Sequence, residues 1–171
     1  MFAAIPTRHG VFRARFSDLG LAELHFPGTF PGVPSVMSSR WSELTAAAVN
    51  AILNCERPDE FPPLDLNAHT EFRRRVWAQL LEIPLGATLS YHEVAERLGQ
   101  PGAARAVGGA CGANPIPLII PCHRVLASGG LLGGFSGGLD WKRKLLSLEG
   151  IRYTEKGTDV PRAEQEFLAL G

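Results

Sequence analysis

No uninterrupted apolar run in this 171-residue chain approaches the roughly 20 residues that a bilayer-spanning helix needs, so no membrane span is expected. Net charge is also missing: 17 Lys and Arg balance 17 Asp and Glu, and the total by itself points to no partner. Cysteine is scarce. Cys55, Cys111 and Cys122 are an odd number without a CxxC pair, which argues against both a disulfide framework and a four-ligand zinc site and leaves at least one thiol free. The opening MFAAIPTRHG lacks the basic start, long apolar middle and small-residue cleavage site of a secretory signal. The expected address is therefore the cytosol, or the nucleus in a eukaryote. No internal repeat is visible. What the chain does have is apolar matter, 45% of its residues, enough to exclude global disorder and to build one sizeable globular unit or two small ones.

The balanced charge hides an asymmetry. Residues 1–67 carry 5 basic against 7 acidic residues, 68–153 carry 10 against 6, and 154–171 carry 2 against 4. A basic middle between acidic flanks is compatible with a polyanionic partner, although charge of this size is common on proteins that bind none.

Along the first segment, Val11 to Phe16 alternates, with Phe12, Ala14 and Phe16 on one side, and Ala22, Leu24 and Phe26 repeat the pattern beyond the turn-like Ser17-Asp18-Leu19-Gly20. That is the pattern of a half-buried hairpin within an opening β-meander. Pro27 to Ser39, dense in Pro, Gly and Ser, reads as a loop, and Trp41, Leu44, Ala48 and Ile52 return at helical spacing to cover the sheet. Pro58, Pro62 and Pro63 forbid a continuous helix between Glu56 and Ala68, so an extended linker and a domain boundary belong there. The expected division is 1–67, an α/β domain with linker; 68–153, a mainly helical domain; and 154–171, a tail that reads either as a terminal helix packed through Phe167, Leu168 and Leu170 or as a mobile segment.

Beyond the linker the elements are short helices. Phe72, Val76, Trp77, Leu80 and Leu81 form one stripe behind the cap candidate Thr70, and Ser90 is placed to cap a second helix from Tyr91 to Leu98 that Gly99 ends. A third helical stretch, about Ala103 to Ala113, is dominated by small residues, among them Ala104, Ala106 and Gly108, with Arg105 its one charge. Two helices joined by a Gly-containing turn outline a helix-turn-helix, with the Gly-rich Ser128 to Gly138 as a possible wing; tight packing of helix on helix is the alternative. Arg105 reads either as a side chain reaching into a nucleic-acid groove or as one half of a surface salt bridge.

The chemistry concentrates at Pro121-Cys122-His123-Arg124-Val125. A thiol of ordinary pKa, roughly 8.5, is only a few per cent thiolate near neutrality, so a nucleophilic Cys122 needs a group to take its proton. His123 is the obvious base. Adjacent side chains on an extended backbone point apart, which favours a relay through water over a direct Cys–His bond. Glu149, at the end of the amphipathic stretch Leu139 to Leu148, is a carboxylate that could orient the imidazole, or else a solvated helix charge.

These segments resemble the O6-alkylguanine-DNA alkyltransferases, also called methylated-DNA–protein-cysteine methyltransferases. The resemblance runs through Phe72-x-x-x-Val76-Trp77, Ile83-Pro84-x-Gly86-x-Thr88-x-Ser90-Tyr91, Arg105-Ala106-Val107-Gly108, Asn114-Pro115, the Pro121–Val125 motif, Gly134-Phe135-Ser136-Gly137-Gly138 and Lys142 to Gly150. The fold it implies is a small ribonuclease-H-like N-terminal α/β domain, an antiparallel sheet with a helix, followed by a winged helix-turn-helix domain.

The reaction it implies is irreversible, stoichiometric transfer of an alkyl group from guanine O6, and by extension thymine O4, in double-stranded DNA to Cys122. The resemblance makes His123 the water-linked base and Glu149 its orienting carboxylate, has Asn114 brace the turn before the active-site strand, and has Tyr91 donate to the departing guanine. It also has Val125, Phe135 and Ser136 frame the base. Arg105 fills the stack left by a flipped nucleotide, while Ala104, Ala106, Gly108 and Ser90 lie toward the DNA. No cofactor, no metal, no membrane and a monomer in solution complete the expectation. Phe135 stands where many relatives have Tyr, and Arg73 where Gln is common. The alternative is a lesion-binding or regulatory protein that does no chemistry, as in alkyltransferase-like relatives, which lack the cysteine present here.

Overall fold

Alternation near the N-terminus becomes an antiparallel meander of β1 (Phe2–Thr7), β2 (Gly10–Phe16) and β3 (Leu21–His25), in the order β1-β2-β3. The computed structural model describes residues 1–29 and 39–155. Phe12, Ala14 and Phe16 all turn inward, as their spacing requires, and Val11 faces solvent. A shift of register between Arg15 and Phe16 lets Leu21 and Ala22, neighbours in sequence, both be buried. β1 was not among the expected strands: Pro6 obscures it, and proline is tolerated there because β1 is an edge.

α1 (Arg40–Leu53) begins at a capping box in which Ser39 and Ser42 satisfy each other's backbone N–H groups. It buries Thr45, Ala48, Val49, Ile52 and Leu53, packs on β1, and Asn50 donates to the Pro6 carbonyl at 3.3 Å. The proline-bearing linker then runs along the outer edge of β3: Leu21 N–H donates to Pro63, Asp65 N–H donates to Leu21, and Leu24 N–H donates to the Pro115 carbonyl, each within 2.9 Å. Residues 30–38, within the stretch expected to be a loop, and the terminal helix suggested around Phe167, Leu168 and Leu170 lie outside the described residues.

α2 (Glu71–Leu81) starts at Thr70, whose side chain accepts from Arg73 N–H, and buries Val76, Trp77 and Leu80 while Leu81 is exposed. The Trp77 indole N–H donates to the Ala110 carbonyl at 2.9 Å and pins the third of the helical stretches against α2. β4 (Leu89–Ser90) pairs in parallel with β5 (Val125–Leu126), and Ser90 caps α3 (Tyr91–Arg97) through a second capping box, with Glu93. A 3-10 turn, Pro101–Ala103, leads into α4 (Ala104–Gly112), and α5 (Leu139–Leu148) closes the described chain's helices.

The architecture is mixed α/β. One apolar core runs without a break from Ala3 on β1 through Trp77, Val107 and Ile120 to Leu145 on α5. Ser128 to Gly138 is a 3-10 turn followed by a loop instead of a strand pair, since Gly129, Gly130, Gly133 and Gly138 all take positive φ, which breaks extended pairing. Among the described residues no helix is long and apolar enough to cross a membrane.

Candidate active site around Cys122

Asn114 shapes the loop that leads to Cys122. Its Oδ1 accepts from Ile116 N–H at 3.0 Å, and its Nδ2 donates to the Ile120 carbonyl at 2.9 Å and to Cys122 Sγ at 3.1 Å. Within the loop, Leu118 takes φ 76° although it has a side chain, a conformation that costs of order 1 kcal/mol and persists here because the residue is fully enclosed by the core. Cys122 does not lie on an extended strand, as expected, but opens a 3-10 turn, Cys122–Arg124, because Arg124 N–H reaches back to the Pro121 carbonyl. Successive side chains of such a turn diverge by about 120°. No hydrogen bond therefore joins Cys122 to His123.

His123 is wholly buried, and its Nε2 lies 2.7 Å from Glu149 Oε1. Pairing Nε2–H with the carboxylate leaves Nδ1 as the unprotonated nitrogen, and Nδ1 is buried with no hydrogen-bond partner among the described residues. Glu149 is no solvated helix charge. It also receives Arg124 through Nε and Nη2 at 2.9–3.2 Å and the Gly86 N–H at 3.2 Å, while Arg124 Nη1 donates to the Ile83 carbonyl. Two segments distant in sequence converge on this one carboxylate.

The electrostatics follow from this burial. Burial raises the Cys122 thiol to about 11 against the Asn114 hydrogen bond and the Lys142 charge, which pull it down. Burial also lowers His123, overriding the Glu149 hydrogen bond, so the imidazole is neutral at pH 7 and able to accept a proton. For Glu149, burial acts upward, but the His123 bond and the Arg124 guanidinium reverse it and hold the carboxyl at about 2. Tyr91 is pushed up to about 12, by burial first and then by the neighbouring thiols, and stays a hydrogen-bond donor.

Beside these residues opens a cavity of about 1010 Å³ whose wall includes Tyr91, Ala104, Arg105, Gly108, Phe135 and Ser136. The β4–β5 pairing explains how Tyr91 comes there, for it sets the start of α3 beside the segment that follows Cys122. Ala106 points away from this cavity, on the exposed side of α4, and Val125 is buried behind it with its carbonyl bound to Lys142. The Ser90 hydroxyl is engaged in capping α3. Cys122, 3% exposed, sits behind the wall, where the visible thiol is that of Cys111. Phe135 lines the cavity while its ring packs edge-on against Phe26, 5.7 Å between centroids, so its lack of a hydroxyl suits an apolar seat.

Ala110 of α4 belongs to the core, but the glycines of the helix are not there for packing within the chain. A Cβ added at Gly109 or Gly112 would meet nothing within 4 Å, and one at Gly108 would only touch the Tyr91 ring at 3.9 Å. Arg105 has no ion-pair partner among the described residues and is exposed at the cavity rim. Among the described residues no group of three or more His, Cys, Asp or Glu side chains is placed to hold a metal ion.

Sequence reasoning missed the contact of Asn114 with the sulfur, the grip of Arg124 on Glu149 and the burial of Lys142. The last two belong to residue types that normally face solvent. Only the even run of segments shared with one family singled out their neighbourhood.

The family model for the 6-O-methylguanine DNA methyltransferase DNA-binding domain matches residues 71–151. The methylated-DNA–protein-cysteine methyltransferase of Mycobacterium bovis is 46% identical over 127 residues, 74% of this chain and 68% of that protein. Among solved structures, Mycobacterium tuberculosis OGT in complex with DNA superimposes with a TM-score of 0.74 at 38% identity, covering 86% of this chain and 91% of that one. The O6-methylguanine-DNA methyltransferase of Pyrococcus kodakaraensis gives 0.67 at 25% identity, with 88% and 100% covered.

Proposed function

Because the chain belongs to the methylated-DNA–protein-cysteine methyltransferase family, we propose that Cys122 is the residue that takes the alkyl group when the protein repairs O6-alkylguanine in duplex DNA. The protein is a DNA-repair methyltransferase that acts by direct transfer. The observation that carries the assignment of Cys122 is the buried His123–Glu149 pair next to it, whose free Nδ1 is the acceptor that the thiol proton requires.

The chemistry runs as a displacement at carbon. His123 Nδ1 takes the thiol proton through a bridging water; the S–C bond forms as the C–O6 bond breaks, and the electron pair stays with the purine. Tyr91, protonated throughout, donates a hydrogen bond to the departing base, and its fixed position makes that bond worth more than one from reorganising solvent. Asn114 steadies the sulfur as it gains charge. The thioether product has no leaving group, so each molecule acts once.

A base stacked in a duplex cannot reach a thiol behind the wall of a protein cavity, and the nucleotide must swing out. The cavity, about 1010 Å³, has room for a nucleotide. α3, the 3-10 turn and α4 act as the helix-turn-helix of domain 68–153, with residues 1–67 as the supporting α/β domain. α4 presents Ala104, Ala106 and Gly108 to a minor groove only about 6 Å wide, and Arg105 holds the vacated stack. The open space around Gly109 and Gly112 supports this over tight packing between helices, since nothing inside the protein requires their smallness. The protein works as a monomer, without cofactor.

Incubation with a duplex carrying O6-methylguanine, followed by intact-mass measurement and peptide mapping, tests the assignment. One methyl on Cys122 is expected. No added methyl, or one on Cys111 or Cys55, overturns it.

A further inference from the structure

Lys142 is a lysine with no solvent exposure at all, on the inner face of α5. A buried ammonium needs compensation, and its surroundings supply little. Nζ donates to the Val125 carbonyl at 2.8 Å and to the Gly134 carbonyl at 3.2 Å; its third N–H has no hydrogen-bond partner, and no carboxylate pairs with it, among the described residues. Glu149, the buried carboxylate of the site, is already engaged by His123, Arg124 and the Gly86 N–H.

The groups that do feel Lys142 belong to the reactive centre. Burial depresses Lys142 to about 8, and the Cys122 and Cys111 sulfurs oppose that fall. In return the Lys142 charge favours the thiolates of Cys122 and Cys111 and disfavours a charged His123. The other ionisable groups packed around the thiols are Tyr91 from α3 and Arg124 with Glu149 behind His123. Lys142 is the cation whose charge bears on Cys122. The carbonyls it holds matter as well: Val125 follows the Cys122 turn, and Gly134 lines the cavity.

We infer that Lys142 is a positioning residue of the transfer: its buried ammonium is the counter-charge for the Cys122 thiolate and clamps the Val125 backbone to the cavity wall at Gly134. This rests on the reading of Cys122 as the alkyl acceptor. When the thiol loses its proton, a lone buried cation becomes half of an ion pair. The same charge discourages His123 from keeping the proton, which makes the imidazole a transient carrier. Once the sulfur is a neutral thioether the pair is broken, and Lys142 is again an uncompensated charge.

The test compares the wild-type protein with Lys142→Met and Lys142→Arg. Modification of Cys122 by iodoacetamide is followed by peptide mapping across pH 6 to 11, so Cys55 and Cys111 are scored separately, and methyl transfer from an O6-methylguanine duplex is timed in parallel. In Lys142→Met the Cys122 profile is expected to move up by at least about one pH unit, with transfer near neutrality slowed at least about tenfold and recovered at higher pH; Lys142→Arg restores part of the shift. A merely structural role would slow transfer and leave the profile in place. Should Lys142→Met fail to fold, the lysine is read directly in the wild-type chain by NMR of its labelled side chain before and after methylation of Cys122. Its titration is expected to shift downward on methylation. A superimposed profile, or an unmoved lysine titration, alongside normal wild-type transfer, overturns the role of Lys142 alone; a wild-type protein that takes no methyl overturns the repair assignment itself.

Discussion

The side-chain amide of Asn114 stands 3.1 Å from Cys122 Sγ and 2.9 Å from the Ile120 carbonyl, so one residue both winds the loop and touches the sulfur. Asn114→Asp keeps the size but exchanges the donor facing the sulfur for a negative oxygen. Transfer near neutrality is expected to fall roughly 10- to 100-fold, with its pH profile displaced upward. Single-turnover kinetics on a lesion duplex check this; a profile like that of the unmodified protein would show that the amide serves only the loop.

Tyr91→Phe removes a donor and little else, since the ring that packs against the core is kept. The transfer rate is expected to drop on the order of 100-fold, the usual cost of losing one fixed donor to a developing negative charge. Affinity for lesion duplex, measured by anisotropy with Cys122→Ala as the background, should stay the same.

Glu149 gives the stability of the protein an acid limb. Its carboxyl sits at about 2 in the folded chain against an ordinary value of 4.5, so it contributes stability that is fully present above about pH 4.5 and is lost as the pH falls through 2. The amount is of order 3 kcal/mol, shared with its partners His123 and Arg124. The lowered His123 works in the same direction, because the unfolded imidazole binds a proton below about 6.5 that the folded one refuses. Denaturant melts between pH 7 and pH 3 should show a steep loss for the wild type and a shallower one for Glu149→Gln, which starts from a lower plateau.

A Cβ added at Gly137 would run into the ring of Phe26 and come within 2.8 Å of Phe135. Phe26 cannot retreat, being 4% exposed and packed at a tilt against Trp141, 4.7 Å between ring centroids. Gly137→Ala is therefore expected to cost about 1–3 kcal/mol in a chemical melt and to slow transfer by shifting Ser136 and Phe135. An unchanged melt would show that the aromatic cluster yields.

What could be read from the sequence was what is local. Thr70 and Ser90 announce their helices because a cap is a matter of three or four residues, and Phe12, Ala14 and Phe16 announce their strand because alternation is a two-residue signal. Glu149 could be offered for His123 only as one of two readings, an orienting carboxylate or a solvated helix charge, and the resemblance favoured the first, since 26 residues separate the two and no spacing rule joins them. Arg124 and Lys142 stayed hidden because their stems read as ordinary solvent-facing basic residues, and only the folded chain shows the carbonyls and the carboxylate that receive them. The 3-10 turn at Cys122 was misread as strand because the apolar run before it, Leu118 to Ile120, looks like one; the loop is wound instead around a single asparagine.

The outer margin of β3 is where that asparagine loop meets the N-terminal half. There, amide and carbonyl groups that would otherwise form an unguarded ribbon, ready to zip onto a copy of itself, are spent on Pro63, Asp65 and Pro115. The stretch that leads to Cys122 thus doubles as a selvage for the sheet, and cutting the protein in two between them would expose the front piece to self-association as surely as it would loosen the other.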